Sequence, residues 1–328
     1  RTRPPVLAAA TWQGKRRNAP DHKRATIKIA NCYVSDKPLP KGIKVKWLRI
    51  VQVIPQLRTK AGMKSVISLV SMFNDSLGRM PLGIVPVEED GSVHCEAPVN
   101  RAIYFQLLDE QGMAVHSMRS VTYVHPGEQM TCLGCHEPRH GAPPATSRPT
   151  AFQRPPSKIQ TETSSGAIPF NYEVLVRRPV FDKKCLECHE KHNKKFPPKF
   201  DPKDTSQNPR DLNAAKRAPD MSYESLRRYD IMFGMPGENN SIRMAGIGGS
   251  RTTPGKVGAH VSGLMHSLRT QPYHKGVLDK LSKDELRRMT LWLDMNSNRI
   301  CWIDESDSWK AQFKGELLNP PIDFDPKN

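Results

Sequence analysis

Through much of the first 125 positions apolar residues alternate with polar ones, the period of a strand with one face buried. Ile27 and Ile29 alternate with Thr26 and Lys28. Ile43, Val45 and Trp47 alternate with lysines, and 50–54 then runs mostly apolar as far as Pro55. Ile84-Val85-Pro86-Val87 leads into Asp90-Gly91, a dipeptide that tolerates positive φ and closes hairpins. Val93, Cys95 and Ala97 follow on one face. Ile103, Phe105 and Leu107 make a further alternating strand, Asp109-Glu110-Gln111-Gly112 turns it, and 114–124 returns. Several short strands joined by turns predict a β-sandwich.

The period changes in the second half. Pro179 suits the first position of a helix, and Val180, Phe181, Cys185, Cys188 and His189 recur at helical spacing. Residues 192–220 read as a long polar loop, and Tyr223–Phe233 as a short helix. Gly237–Gly258 is glycine-rich, but Val257 follows Gly255-Lys256 and the glycine spacing is wrong for a phosphate-binding loop. Ser282 and Glu285 form a capping box with Leu281 and Leu286 as its staple. Leu286, Met289 and Leu293 then line one face, and Asn296-Ser297-Asn298 ends that helix.

The predicted fold class is therefore α+β and multidomain. A β-rich, sandwich-like domain spans 1–136, with an irregular basic lead-in over 1–25. A Pro/Ser/Thr-rich linker or surface segment covers 137–167. An α-helical domain spans 168–328. A chain of 328 residues and 37.0 kDa has room for about two domains. Only 37% is apolar and 29 residues are proline, so modest cores, long loops and interior-filling cofactors are expected. No stretch of 18 apolar residues is present, so no membrane span is expected. The opening Arg1-Thr2-Arg3-Pro4-Pro5 reads as a mature or internal start. A net charge of +17 gives either a basic face for an acidic redox partner or another subunit, or a generally basic surface. The lysines and arginines are spread without a nucleic-acid recognition pattern, so nucleic acid is not an expected partner.

Two short motifs carry the chemistry. Cys132-Leu133-Gly134-Cys135-His136 and Cys185-Leu186-Glu187-Cys188-His189 both read Cys-x-x-Cys-His. This is the spacing of c-type haem attachment: two thiols on adjacent helical turns add across the haem vinyl groups, and the histidine ligates the iron. With 7 Cys and 11 His, chance would supply the motif ~0.005 times in such a chain. Zinc ribbons space their cysteine pairs closer and give no reason for the histidines, and neither pair sits in the βαβ context of a thioredoxin-like motif. Two covalent haem c groups are the expected cofactors. Haem c is attached outside the cytoplasm, so the expected location is the periplasm or an equivalent compartment. Cys32 and Cys95 fall in strand-like segments as small buried hydrophobes, with zinc binding beside a histidine the second option. Cys301, beside Trp302, is expected to pack in a core.

The axial ligands decide what each haem does, since two strong ligands make a carrier and an open position admits substrate. His189 is the expected proximal ligand of the second haem. Opposite it the choices are His274, His260, His266 and Met265, with His274 favoured because it precedes the capped helix. For the first haem His136 is the default ligand, and His140, four residues on, offers a second imidazole or a ligand to a nearby metal. His94, His116 and His125 are further distal choices.

The order of several runs resembles one family. Gly83–Ser92, Phe105–Met113, Met118-Arg119-Ser120, Pro126-Gly127-Glu128 and Cys132–Glu137 follow one another as in the middle domain of the hydrazine synthase alpha subunit and its relatives. Cys185–His189, Gly258-Ala259-His260, His274 and Trp292-Leu293-Asp294 are similar to that family's C-terminal cytochrome c domain. The resemblance covers roughly residues 1–305. It implies a first haem on Cys132 and Cys135, where a hydroxylamine-level intermediate meets ammonia. It implies a second, bis-histidine haem on Cys185, Cys188, His189 and His274 that moves electrons. It also implies a β-propeller upstream, on a separate polypeptide or on a precursor from which the chain is processed. In the family a tyrosine four residues past the first motif holds the catalytic iron while the motif histidine turns towards zinc. Here that position is His140, a stronger donor. The catalytic candidates are accordingly His136 and His140. Three classes of function follow: a redox enzyme subunit of nitrogen metabolism, a pure electron carrier, or a structural subunit of a cytochrome assembly.

Overall fold

The computed structural model of the chain describes residues 24–55, 78–118, 120–135, 148–191, 253–304, 306 and 308–320. Seven strands run in chain order as β1 (Arg24–Ile29), β2 (Trp47–Ile54), β3 (Gly78–Pro86), β4 (Val93–Pro98), β5 (Ile103–Leu108), β6 (Ala114–Ser117) and β7 (Gln129–Cys132). They form a three-stranded sheet, β4-β1-β7, and a four-stranded sheet, β3-β2-β5-β6. β1 runs antiparallel to β4 with Ile27 opposite Cys95, and parallel to β7 with Ile29 opposite Cys132. The alternation read along 25–29 is the inner face of the first sheet. Ile27, Ile29, Val93, Cys95 and Ala97 pack there against Leu48, Ile50, Val85, Ile103, Phe105 and Leu107 of the second.

Asp90-Gly91 is a turn but not a hairpin. β3 and β4 belong to different sheets, so the turn is a corner of the sandwich. Gly91 has φ +80°, and an added Cβ would lie 2.4 Å from Asn31 Oδ1. The dipeptide fixes the change of direction, while β4's six-residue register with β1 fixes the sheet. Asp109–Gly112 does close a hairpin, between β5 and β6, although the return strand stops at Ser117. Ile43 and Val45 precede β2 rather than belonging to it.

The other face of the second sheet is covered by short helices. A π-helical segment, Glu173–Phe181, continues into α1 (Asp182–Lys184) and α2 (Leu186–Lys191). α3 (Gly263–Thr270), α4 (Lys283–Asp294) and α5 (Ser308–Phe313) follow. Val51, Val53, Ile54 and Tyr104 share one core with Phe170, Tyr172, Phe181, Met265, Leu291 and Trp292. β2 is thus buried on both faces, which is why 50–54 reads as a nearly continuous apolar run. Trp292 is fully buried, 5.2 Å from the Tyr172 ring and 5.8 Å from that of Phe181.

Pro179 lies inside its helix rather than at the start. Asn171 Oδ1 opens the helix by accepting from the Glu173 amide at 3.0 Å. Proline has no N–H to give to the helix ladder, and Arg288 Nη1 adds a bond to the Leu175 carbonyl of the preceding turn at 3.4 Å. The capping box of α4 is present, with Glu285 N donating to Ser282 Oγ at 3.1 Å and Ser282 N to Glu285 Oε2 at 2.8 Å. Asn296 and Ser297, at φ +58° and +49°, end it, and α5 beyond was not anticipated from the sequence.

Residues 148–167 form an irregular surface strap tied to both layers. Ser157 N donates to His94 O and Gln160 N to Ile84 O, each at 2.9 Å, and Ser164 N donates to Asp284 Oδ1 at 2.8 Å. Cys32, Cys95 and Cys301 are all buried, and burial pushes each thiol up to about 12. The 1–23 lead-in, 136–147, the 192–220 loop, the Tyr223–Phe233 helix and the glycine-rich stretch up to 252 lie outside the described residues. Among the described residues no helix is long and apolar enough to cross a membrane.

Candidate functional site

The second motif is carried on helical backbone. Cys185 N donates to Phe181 O at 2.9 Å and His189 N to Cys185 O at 3.1 Å, so Cys185 and His189 sit one turn apart on one face. His189 is buried, Cys185 is half-buried and Cys188 is exposed. Opposite them, α3 and the 3₁₀ turn Pro272–His274 form a second wall. A cavity partly open to solvent lies between the walls. Val180, Phe181, Leu264, Leu268, Val277, Leu281 and Met289 supply its apolar lining, and Cys185, Cys188, His189 and His274 all reach it.

The rings of His189 and His274 face each other with centroids 6.2 Å apart and planes inclined by 26°. A metal held about 2 Å from one nitrogen of each of two end-on imidazoles separates their centroids by roughly 6 Å, so the spacing suits shared ligation once the stacked rings turn their nitrogens towards the metal. The apolar walls suit a porphyrin face, and both thiols of the motif are at hand. The residues therefore fit a covalent haem with an imidazole on each side. Burial holds the His274 imidazole below the usual histidine range, against the opposing pull of the Ser267 carbonyl. A neutral ring is the form that binds metal. The other distal choices point elsewhere. His260 Nε2 lies 3.0 Å from Asp109 Oδ2, Met265 is buried in the shared core, and His266 is exposed.

The first motif departs from the helical geometry expected of it. Cys132 is the last residue of β7, and the chain then bends along the continuation of β1. Ala30 N donates to Cys132 O at 2.9 Å, Asn31 N to Leu133 O at 3.1 Å, and Cys135 N to Val34 O at 3.0 Å. Parallel pairing with β1 and its extension thus holds 132–135 on a sheet edge. Gly134 permits this approach, since a Cβ there would lie 2.2 Å from Val34 O. Cys135 is buried in the sandwich core and Cys132 packs against it. His136 and His140 lie outside the described residues, and with them the zinc option at this motif. His94 Nδ1 lies 3.0 Å from Arg154 O, His116 is buried in β6, and His125 meets Tyr123 edge-on at 5.2 Å. Among the described residues no group of three or more His, Cys, Asp or Glu could hold a metal ion.

The sequence reading missed a buried polar cluster that joins the two layers. Arg49, in β2, donates to Gln106 Oε1 at 2.8 Å, Asp294 Oδ2 at 2.9 Å and both oxygens of Glu162. Asp294 also accepts from Ala114 N at 3.0 Å and Ala259 N at 2.8 Å. Burial alone would lower the Arg49 pKa, but Glu162 and Asp294 carry it above the usual guanidinium range. A charged residue amid the apolar Leu48–Val51 run was the available signal. The same contacts explain Gly258-Ala259-His260 and Trp292-Leu293-Asp294 structurally, since a Cβ on Gly258 would lie 2.0 Å from Asp294 Oδ1.

The chain is thus a mixed α and β protein of two sheets backed by short helices, with one Cys-x-x-Cys motif on a sheet edge and the other on a cavity wall. Residues 43–137 match the family described as the hydrazine synthase alpha subunit middle domain, which bears out the resemblance read from the sequence. The fold is similar to a solved structure of Kuenenia stuttgartiensis hydrazine synthase, with a TM-score of 0.55 and 15% identity over 92% of this chain. The match spans 46% of that chain. No curated protein matches the sequence.

Proposed function

We propose that the chain is a dihaem c-type cytochrome of the hydrazine synthase alpha kind, a redox subunit of nitrogen metabolism. The observation that carries the reading is the meeting of Cys185, Cys188, His189 and His274 at one cavity, with the two rings 6.2 Å apart. In this reading Cys185 and Cys188 anchor the second haem, and His189 and His274 hold its iron. Haem bound there supplies one-electron chemistry with no open position. The surrounding helices form a cytochrome c-like domain whose apolar lining excludes water and whose exposed Cys188 edge faces electron partners.

Cys132 and Cys135 anchor the first haem on the sheet edge, with His136 or His140 as its ligand. This is the reactive site, and zinc on the histidine that the iron does not use belongs to the same proposal. Other redox subunits, an acidic electron-transfer partner and a β-propeller chain are the proposed partners, in an extracytoplasmic compartment.

The second reading is a pure electron carrier, favoured by the imidazoles on both sides of the described cavity. Expression with a haem c maturation system, followed by intact mass and electron paramagnetic resonance with and without nitric oxide and hydroxylamine, separates the two. The enzyme reading expects two covalent haems, one low-spin and one high-spin that binds both ligands. Two low-spin haems indifferent to both leave the carrier. A chain without covalent haem overturns both.

A further inference from the structure

His274 is held from behind by a single residue. Its Nδ1 lies 3.1 Å from Ser267 Oγ and 3.3 Å from Ser267 O. Ser267 belongs to α3 and lines the same cavity as the ring it holds. A carbonyl oxygen only accepts, so this contact requires the proton on Nδ1 and puts the lone pair on Nε2, the opposite nitrogen. The Ser267 carbonyl also accepts Gln271 N at 3.0 Å, where α3 ends. It is one of the last carbonyls of the helix, where the partial negative charge of aligned peptides collects. A second anchor acts on the loop, since His274 N donates to Gln271 O at 2.9 Å.

We propose that Ser267 is the positioning residue of the second haem site: its carbonyl fixes the tautomer of His274, and its hydroxyl, the nearer partner at 3.1 Å, fixes the rotation of the ring and thereby shifts the redox equilibrium of the iron it faces. The inference rests on the haem reading above. An acceptor on Nδ1–H strengthens the imidazole as a donor and favours the oxidised iron. Ser267 acts on the iron through His274.

The test uses the full chain carrying both haems, with Ser267→Ala and Ser267→Thr compared by potentiometric titration and low-temperature electron paramagnetic resonance. Ser267→Ala is expected to keep the second haem covalent and low-spin while shifting its equilibrium towards the reduced form about three- to tenfold, up to ~59 mV for one electron. Its g values are expected to move as the ring rotates, and Ser267→Thr, which keeps the hydroxyl, to restore both readouts. Unchanged potential and g values in Ser267→Ala, or a threonine variant that behaves like alanine, overturn the proposal. In the parent protein the His274 Nδ1 proton is expected to exchange slowly with solvent, and fast exchange also overturns it. The haem reading fails separately: it falls if no covalent haem is found, or if His274→Ala leaves the second haem's spectrum unchanged.

Discussion

Arg49, in the middle of β2, donates to the carboxylate of Asp294, the last residue of α4, at 2.9 Å across 245 positions of sequence, with both side chains fully out of solvent. The pair pins the helical layer to the sheet. Removing one member strands the other without its counter-charge, which costs about 3–5 kcal/mol. Arg49→Met is therefore expected to lower stability by that amount, read as the midpoint of chemical denaturation. Arg49→Met with Asp294→Leu is expected to recover part of the loss, because the Asp294 charge is then gone and Glu162 keeps Arg287 at 3.6 Å. A double variant no more stable than the single one would show that the pair is not the unit.

His274→Ala removes one of the two facing rings and leaves both thiols of the motif in place. The second haem is expected to stay covalently attached and to turn from low-spin to high-spin, with new affinity for nitric oxide or imidazole. Intact mass and optical spectra measure the two effects separately. Loss of the haem altogether would mean that His274 is needed for attachment.

Gly134→Ala puts a methyl group 2.2 Å from the Val34 carbonyl and forces 132–135 off the sheet edge. Haem attachment at Cys132 and Cys135 is expected to fall at least several-fold relative to Cys185 and Cys188, a ratio read from peptide masses. Equal loading at both motifs would separate attachment from the edge pairing.

Asp90 gives the corner turn a pH signature. Desolvation nudges its carboxyl up, but the Ser92 hydroxyl at 2.6 Å and the amides of Thr150 and Ser92 outweigh it and hold the group at about 2. A carboxyl in an unfolded chain titrates near 3.9. Its stabilisation is thus complete above about pH 4 and is lost as the pH falls towards 2. Asp90→Asn is expected to flatten the acid limb of the stability profile in that window and to change nothing in its slope at neutral pH. Denaturation midpoints across the window decide it.

Elements set by local pattern were legible in the sequence. The alternation of Ile27 and Ile29 marked the inner face of β1, the Ser282–Glu285 box marked the start of α4, and the site of His274 before that helix put it opposite His189. Features that depend on distant partners were not. Arg49 finds its acceptors at Gln106, Glu162 and Asp294, none of which its neighbours in sequence announce. Asp90-Gly91 signals a turn, but β1, read earlier in the chain, decides where β4 goes. Pro179 looks like a helix start because its neighbours do not announce the turn before it, which Asn171 opens and Arg288, more than 100 positions away, braces at Leu175. The first motif resembles a helical attachment loop, yet β1 draws it onto a sheet edge.

The second sheet gives one face to the sandwich and the other to the helices, so the described helices complete their interior against β2 and β5. Cut between the layers, each piece would present a raw apolar surface: Val51, Val53, Ile54 and Tyr104 on one, Tyr172, Phe181 and Trp292 on the other. The two halves are accordingly coupled through one shared face of β2 and β5.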